Sequence, residues 1–148
     1  MTILLSMAAF ALAASISPGP VNLLALSAGA RYGLRASLRH VTGATLGFTL
    51  LLLCMGLGLQ QLLNQWPALA LLIRWSGVTF LLYMAYSLAR DDGRLNSGKA
   101  VQAPSLLTGA LMQWLNPKAW LASLAGMGAY AADGELRLVG QFAALYFV

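Results

Sequence analysis

The chain has 148 residues, of which 59% are hydrophobic and only 9% are charged, whereas a typical soluble domain carries about 25% charged residues. The net charge of +5 comes from basic residues beside apolar segments and not from an exposed basic cluster, which argues against nucleic-acid binding. Long apolar runs alternate with short polar stretches, a pattern that predicts an all-α membrane protein, a polytopic helical bundle in the lipid bilayer.

Five apolar segments follow one another along the chain, and a membrane-spanning helix needs about 20 apolar residues. The segments are residues 3–26, 41–59, 67–89, 105–130 and 136–148. The first lacks a basic N-terminal region and is longer than a signal-peptide core, so we expect it to be retained as a helix. The last is too short to cross a bilayer, so we expect a helix cut short by truncation. The alternative is an end that packs against a partner chain.

Positive charge alternates from loop to loop. The stretches after the first and third segments are basic, residues 60–66 carry no charge, and the stretch after the fourth segment carries Asp133 and Glu135. Because short cytoplasmic loops are enriched in Lys and Arg, this pattern places the N-terminus outside and residues 31–40 and 90–103 in the cytoplasm.

This orientation predicts two inverted repeats in a single transmembrane domain, residues 1–148. Residues 1–90 would form the first three-helix repeat, 91–104 a cytoplasmic linker and 105–148 an incomplete second repeat. The first helices of the two repeats would then cross the membrane in opposite directions and meet near its midplane.

The first apolar segment is interrupted by two prolines around a glycine. Proline removes a backbone donor and clashes with the preceding turn, so Pro18 and Pro20 should unwind the helix around Gly19. The half-helix that restarts after Pro20 presents free N–H groups that suit a carboxylate. Ser17 and Asn22 could add hydrogen bonds, so all five residues are candidate substrate-binding residues. The alternative is a kink that only fits neighbouring helices.

The fourth segment is interrupted in the same way, at Asn116 and Pro117, and carries Lys118 near its middle. A lysine inside a bilayer costs roughly 2.5–3.5 kcal/mol on insertion scales, so it needs a partner. These three residues are therefore also predicted to bind substrate. The alternative is a structural lysine that bonds to the carbonyls of the break. Paired interrupted helices at corresponding positions are typical of transporter binding sites.

Three further features allow two interpretations each. Arg74, in the third segment, either extends outward past Trp66 to the interface or lies on a substrate pathway. His40 is predicted to be a solvated interfacial residue, with proton handling as the alternative. The spacing of Gly43 and Gly47 favours close helix packing but is common by chance, so it leaves a homo-oligomer open.

The sequence does not contain the side chains that several kinds of chemistry require. No Asp or Glu lies inside any apolar segment, and Cys54 is the only cysteine. A thiol–disulfide carrier and a metal exporter are therefore disfavoured. With no phosphate-binding loop and no hydrolase-like set of side chains, we expect no enzyme activity, no cofactor and no metal site.

These motifs resemble a known family. Residues 17–24 (SPGPVNLL) and 29–33 (GARYG) resemble the first signature of the LysE/RhtB family of amino-acid exporters, and residues 115–119 (LNPKA) resemble the second. Residues 43–47 (GATLG) and 75–83 (WSGVTFLLY) are similar to the family's second and third helices.

The resemblance implies an exporter of amino acids or close derivatives in the bacterial inner membrane, driven by the proton gradient. It also implies that this chain lacks the end of the fifth helix and the whole sixth helix. A truncated inactive product, or an accessory subunit that needs a partner chain, is the alternative. Phe48 departs from the family, many of whose members have a polar or acidic residue there, which weakens any inference of proton coupling or a cationic substrate.

Overall fold

A computed structural model describes residues 2–90, 103–131 and 135–147. Within these ranges the chain forms α-helices joined by short connections, with no β-strand. The predicted all-α fold is therefore confirmed. Most of the predicted linker at 91–104 lies outside the described residues, so its role as a boundary between repeats stays a prediction.

The first predicted break is present. Helix α1 spans Thr2–Ile16 and helix α2 spans Pro20–Tyr32, and the two axes are bent by 58°. Pro20 occupies the first position of α2, where a missing N–H leaves no hydrogen bond unmade. Helix α2 continues beyond the predicted end of the segment at residue 26.

The third helix begins earlier than the sequence suggested. Helix α3 spans Leu34–Gly56, so most of the stretch predicted as a loop at 31–40 is helical. Gly33 alone separates α2 from α3, and its φ of 83° is a conformation that glycine adopts without strain. Arg35 and Arg39 are good helix formers that remain exposed on α3. The apolar pattern does not reveal such a polar first turn.

A short helix replaces the predicted loop at 60–66. Helix α4 spans Leu59–Gln65 and follows Gly58, whose φ is 107°. Helix α5 then spans Pro67–Ala89, with the bounds that the apolar segment predicted. Its surface is almost entirely exposed within the chain, as expected of a helix that contacts lipid.

The second predicted break is also present. Helix α6 spans Leu106–Leu115 and helix α7 spans Pro117–Tyr130, with Asn116 alone between them. Helix α8 spans Leu136–Phe147. By length and composition, α3 and α5 can each cross a membrane, and the bent pair α1–α2 can form a third span.

Helix α3 lies at the centre of the bundle and packs against α2, α6, α7 and α8. Its contact with α6 is backbone to backbone. A Cβ atom on Gly47 would lie 2.7 Å from Ala110 of α6, and one on Gly43 would overlap the Leu106 carbonyl. From the other side, a Cβ on Gly109 would overlap the His40 carbonyl. The close packing predicted from the Gly43–Gly47 spacing is thus confirmed within one chain.

The core lies where α1, α3, α7 and α8 meet. Met7, Leu51, Leu52 and Phe142 are fully buried there. The Phe142 ring lies directly against Gly126 of α7, where any side chain would clash with it. This core joins both broken helices to α3 and so fixes the position of one break relative to the other.

Candidate functional site

At the first break, side chains of the chain donate hydrogen bonds to backbone carbonyls that have no helical partner. Nδ2 of Asn22 donates hydrogen bonds to the Ser15 and Ser17 carbonyl oxygens, at 2.9 and 3.2 Å. The Ser17 hydroxyl turns back along α1 and donates to the Ala14 carbonyl at 3.0 Å. Ser17 therefore offers its carbonyl at the break, while its hydroxyl is engaged elsewhere.

The second break is organised by Asn116. Its side-chain oxygen accepts a hydrogen bond from the Lys118 backbone N–H at 3.2 Å and so caps α7. The indole N–H of Trp120 donates to the Trp114 carbonyl at 2.8 Å, across the break. Trp114 in turn donates from its indole to the Gly47 carbonyl of α3 at 3.1 Å. The break is thereby fixed to the central helix.

Lys118 joins the two breaks. Its Nζ donates a hydrogen bond to the Ser17 carbonyl oxygen at 2.5 Å, although 101 residues separate the two in sequence. The approach depends on Gly19, where a Cβ atom would lie 3.2 Å from Lys118 Cδ and 3.4 Å from Nζ. A larger residue at 19 would push the lysine side chain away from the first break.

A pocket of about 220 Å³ opens between the two breaks. It is smaller than the roughly 300–1,000 Å³ of pockets for drug-sized ligands, so its size suits a small molecule. Lys118 is the only charged side chain among the described residues that line it. The other polar lining groups are hydroxyls and amides, contributed by Ser15, Asn22, Thr45, Gln113, Asn116 and Tyr146.

The structure brings most of the sequence-predicted site residues together, in two roles. Gly19, Asn22, Asn116 and Lys118 line the pocket itself. The remaining four do not line it: Pro18, Pro20 and Pro117 stand at the breaks, and Ser17 accepts the lysine hydrogen bond. On α5, Gly77 packs against the Pro117 ring, where a Cβ atom would lie 3.3 Å from Cγ.

Other lining residues were not predicted. Thr45 and Phe48 come from α3 and Tyr146 comes from α8. Gln113 is an amide in an apolar segment, three residues before Asn116, and this signal in the sequence could have identified it. The position of Tyr146 has no signal in the sequence, because it depends on how α8 packs against α3.

Arg74 is not brought to this pocket. It lies on the exposed side of α5 and is absent from the pocket lining. Trp66, past which its side chain was expected to extend, is 63% exposed. The residues that line the site come from α1, α2, α3, α6, α7, α8 and the two breaks, and none comes from α5.

The interpretation of His40 as a solvated interfacial residue is wrong. The side chain is fully buried in α3, and neither ring nitrogen has a hydrogen-bond partner among the described residues. The backbone of Val21 in α2 lies near the ring without hydrogen-bonding geometry. Because α3 starts at residue 34 and not at 41, His40 lies nearly two turns inside the helix. Its side chain is covered by the rest of the bundle.

No group of three or more metal-binding side chains occurs within residues 2–90, 103–131 and 135–147. In that part of the chain the site consists of one ammonium group, side-chain amides and hydroxyls, and the backbone carbonyls at the breaks. Such groups can bind and orient a small zwitterion. A lysine ammonium suits a carboxylate, and the carbonyls at the first break, each with two lone pairs, can accept a further hydrogen bond from an ammonium.

Comparison with known proteins gives a family match over nearly the whole chain. The family described as LysE type translocator matches residues 12–148. A cysteine/O-acetylserine efflux protein of Salmonella typhimurium is 37% identical over 81 residues, which are 54% of this chain and 41% of that protein. A protein of the same name from Escherichia coli K12 is 28% identical over 130 residues, 87% of this chain and 66% of that protein.

The chain thus matches about two thirds or less of the length of these curated relatives. No solved structure is significantly similar to it.

Proposed function

Since the chain belongs to the LysE type translocator family, we propose that it exports small amino acids or close derivatives across the bacterial inner membrane, with the substrate bound between the two proline-broken helices. The observation that carries the proposal is the hydrogen bond from Lys118 to Ser17, which joins the two breaks beside a small pocket lined by both polar and apolar residues. The names of the curated relatives support the substrate class, since both are efflux proteins for cysteine and O-acetylserine.

In this mechanism Lys118 has two partners. In the empty site its ammonium is held by the Ser17 carbonyl, which avoids an unpaired charge inside the membrane. In the loaded site the ammonium pairs with the substrate carboxylate, and the amide of Asn116 holds α7 so that Lys118 stays in place. The Ser15 and Ser17 carbonyls at the first break then accept hydrogen bonds from the substrate ammonium.

The pocket favours neutral amino acids over basic ones. Its lining contributes one positive charge and no carboxylate among the described residues, so a second ammonium on the substrate would have no partner. Phe48 adds an aromatic ring to the lining and no negative charge, which strengthens this preference.

In the remaining parts of the proposal, the orientation follows from the charge pattern, and the driving force is what the family resemblance implies. We place the N-terminus outside and the basic stretch around Arg35 and Arg39 in the cytoplasm. Two inverted repeats would rock around the fixed site, and the proton-motive force would drive export. Transport of this kind needs no cofactor and no enzyme chemistry.

A second candidate is an incomplete or accessory subunit that needs a partner chain. The observation that supports this second candidate is that the chain matches only 66% of the length of the Escherichia coli relative. In that case the two breaks and the pocket would be intact, but the chain alone would not move substrate.

One export assay tests both candidates. Cells expressing the 148-residue chain are compared with cells expressing it extended by the C-terminal residues of the Escherichia coli relative, and cysteine, O-acetylserine and several other amino acids are measured in the medium. Export by both supports the first candidate, and export by the extended chain alone supports the second. If neither exports any of these compounds while both insert in the membrane, the proposed function is wrong.

A further inference from the structure

A tyrosine on α8 has its hydroxyl buried at the pocket. Tyr146 lines the pocket, and its hydroxyl oxygen is shielded from solvent without a hydrogen-bond partner among the described residues. A buried polar group without a partner costs free energy, and such groups in native structures need an explanation. Because Tyr146 lines the cavity, a molecule that enters the cavity and displaces the groups covering this hydroxyl can become its partner.

The ring that carries this hydroxyl is held by two phenylalanines. Its centroid lies 4.6 Å from that of Phe48 and 5.2 Å from that of Phe142, with interplanar angles of 60° and 83°. These edge-to-face contacts are favourable arrangements of aromatic rings. Phe142 is itself fully buried against Gly126. The hydroxyl is therefore carried by a ring with little freedom to move.

The other polar ends of a bound amino acid already have partners at the breaks. In the proposed function Lys118 pairs with the carboxylate, and the Ser15 and Ser17 carbonyls, which accept from Asn22 and Lys118 in the empty site, take the α-ammonium. Tyr146 comes from a different helix and lines the same pocket together with Thr45 and Phe48. The substrate group left for this part of the lining is the side chain.

We infer that the Tyr146 hydroxyl binds a polar atom on the side chain of the exported amino acid and so selects polar over apolar substrates of the same size. The inference rests on the proposed function and adds a specificity-determining residue to it. A site built to hydrogen-bond a substrate group discriminates against an analogue that lacks the group, because its own polar atom is then left unpaired.

The test is direct binding to the purified chain in lipid nanodiscs. The probes are L-serine and L-2-aminobutyrate, which carries a methyl group where serine carries its hydroxyl. Tyr146→Phe keeps the ring and removes only the phenolic oxygen. We expect it to weaken L-serine binding about threefold to tenfold, the size of one neutral hydrogen bond, and to leave L-2-aminobutyrate binding unchanged.

Tyr130→Phe is the matched control. Tyr130 belongs to the same aromatic cluster, but its hydroxyl bonds to Ser6 at 2.7 Å and it does not line the pocket. We expect this variant to bind both probes as the original chain does. We also expect Tyr146→Phe not to lower the unfolding temperature of the unliganded chain, because its hydroxyl has no protein partner to lose within the described residues.

Three outcomes would overturn the inference. They are equal weakening of both probes by Tyr146→Phe, unchanged serine binding, and a lower unfolding temperature, which would reveal a structural partner for the hydroxyl. If the original chain binds neither probe, the inference fails, whereas the proposed function fails only if the export assay is also negative for every amino acid measured.

Discussion

Lys118 is the residue on which the site depends most directly, because it is the one charged side chain among the described residues at the pocket. The sequence predicted that a lysine in the middle of an apolar segment needs a partner. It left open whether that partner is a carbonyl or a substrate. The structure supplies a carbonyl, that of Ser17, in the empty site.

Replacing the lysine tests whether it also binds substrate. We expect Lys118→Ala to lower export by at least about 30-fold, since removing one partner of a buried, hydrogen-bonded charge pair costs about 2–5 kcal/mol. The measurement is the rate of amino-acid export, normalised to the amount of protein in the membrane. Export is measured in whichever form, original or extended, is active.

Arg137→Ala is the control for that experiment, because its side chain is 75% exposed on α8 and pairs only loosely with Glu135 at 3.8 Å. It removes one positive charge without touching the pocket. Normal export by Lys118→Ala would exclude the lysine from the substrate site.

Arg74 gives a second prediction at this scale. Because it is exposed on α5 and does not line the pocket, we expect Arg74→Ala to leave the apparent affinity for exported amino acids unchanged within about twofold. A dose–response measurement of export against internal substrate concentration checks this. A clear loss of affinity would instead support the pathway role suggested by the sequence.

Among the elements, the sequence predicted the breaks better than the helix ends. Pro18, Pro20 and Pro117 act locally, through a missing N–H and a steric clash, so their effect can be read from the sequence alone. The start of α3 at residue 34 could not be read in this way. It depends on one glycine turn at Gly33 and on a polar helical turn that the apolar pattern treats as a loop. This early start is also what buries His40.

The contact between α3 and α6 yields a prediction about stability. Gly47→Ala would place a Cβ atom 2.7 Å from the backbone of Ala110, so the helices must separate. We expect a loss of about 1–3 kcal/mol in the free energy of unfolding, typical of overpacking. Thermal or denaturant unfolding of the detergent-solubilised chain measures it.

Gly128→Ala is the matched substitution, because a Cβ atom there meets nothing within 4 Å. It should leave stability unchanged or raise it by up to about 1 kcal/mol, through better helix propensity. Equal effects of the two substitutions would contradict the backbone contact between α3 and α6.

At the scale of the whole molecule, the sequence predicted that the two breaks correspond, and the structure brings them into contact. That they meet near the membrane midplane stays a prediction. The contribution of α8 to the pocket was not predicted, because it depends on which apolar faces pack together. Faces turned to lipid and faces turned to protein have the same composition, so periodicity does not distinguish them.

The orientation of the chain can be tested with single cysteines in a Cys54→Ser background. Asn64 lies exposed on α4 and Leu34 lies exposed at the start of α3. With the N-terminus outside, we expect Asn64→Cys to react with a membrane-impermeant maleimide in intact cells. Leu34→Cys should react only after the cells are opened. The reverse pattern would invert the proposed topology.

The hydrogen bond between Trp120 and Trp114 has an optical consequence. These two indoles lie edge to face with centroids 5.9 Å apart, and Trp120 lies two residues after Lys118. The other two tryptophans, Trp66 and Trp75, are each 63% exposed. With Trp66 and Trp75 replaced by phenylalanine, the tryptophan emission would come only from the break between α6 and α7, so occupancy of the site could be followed in real time without a labelled substrate.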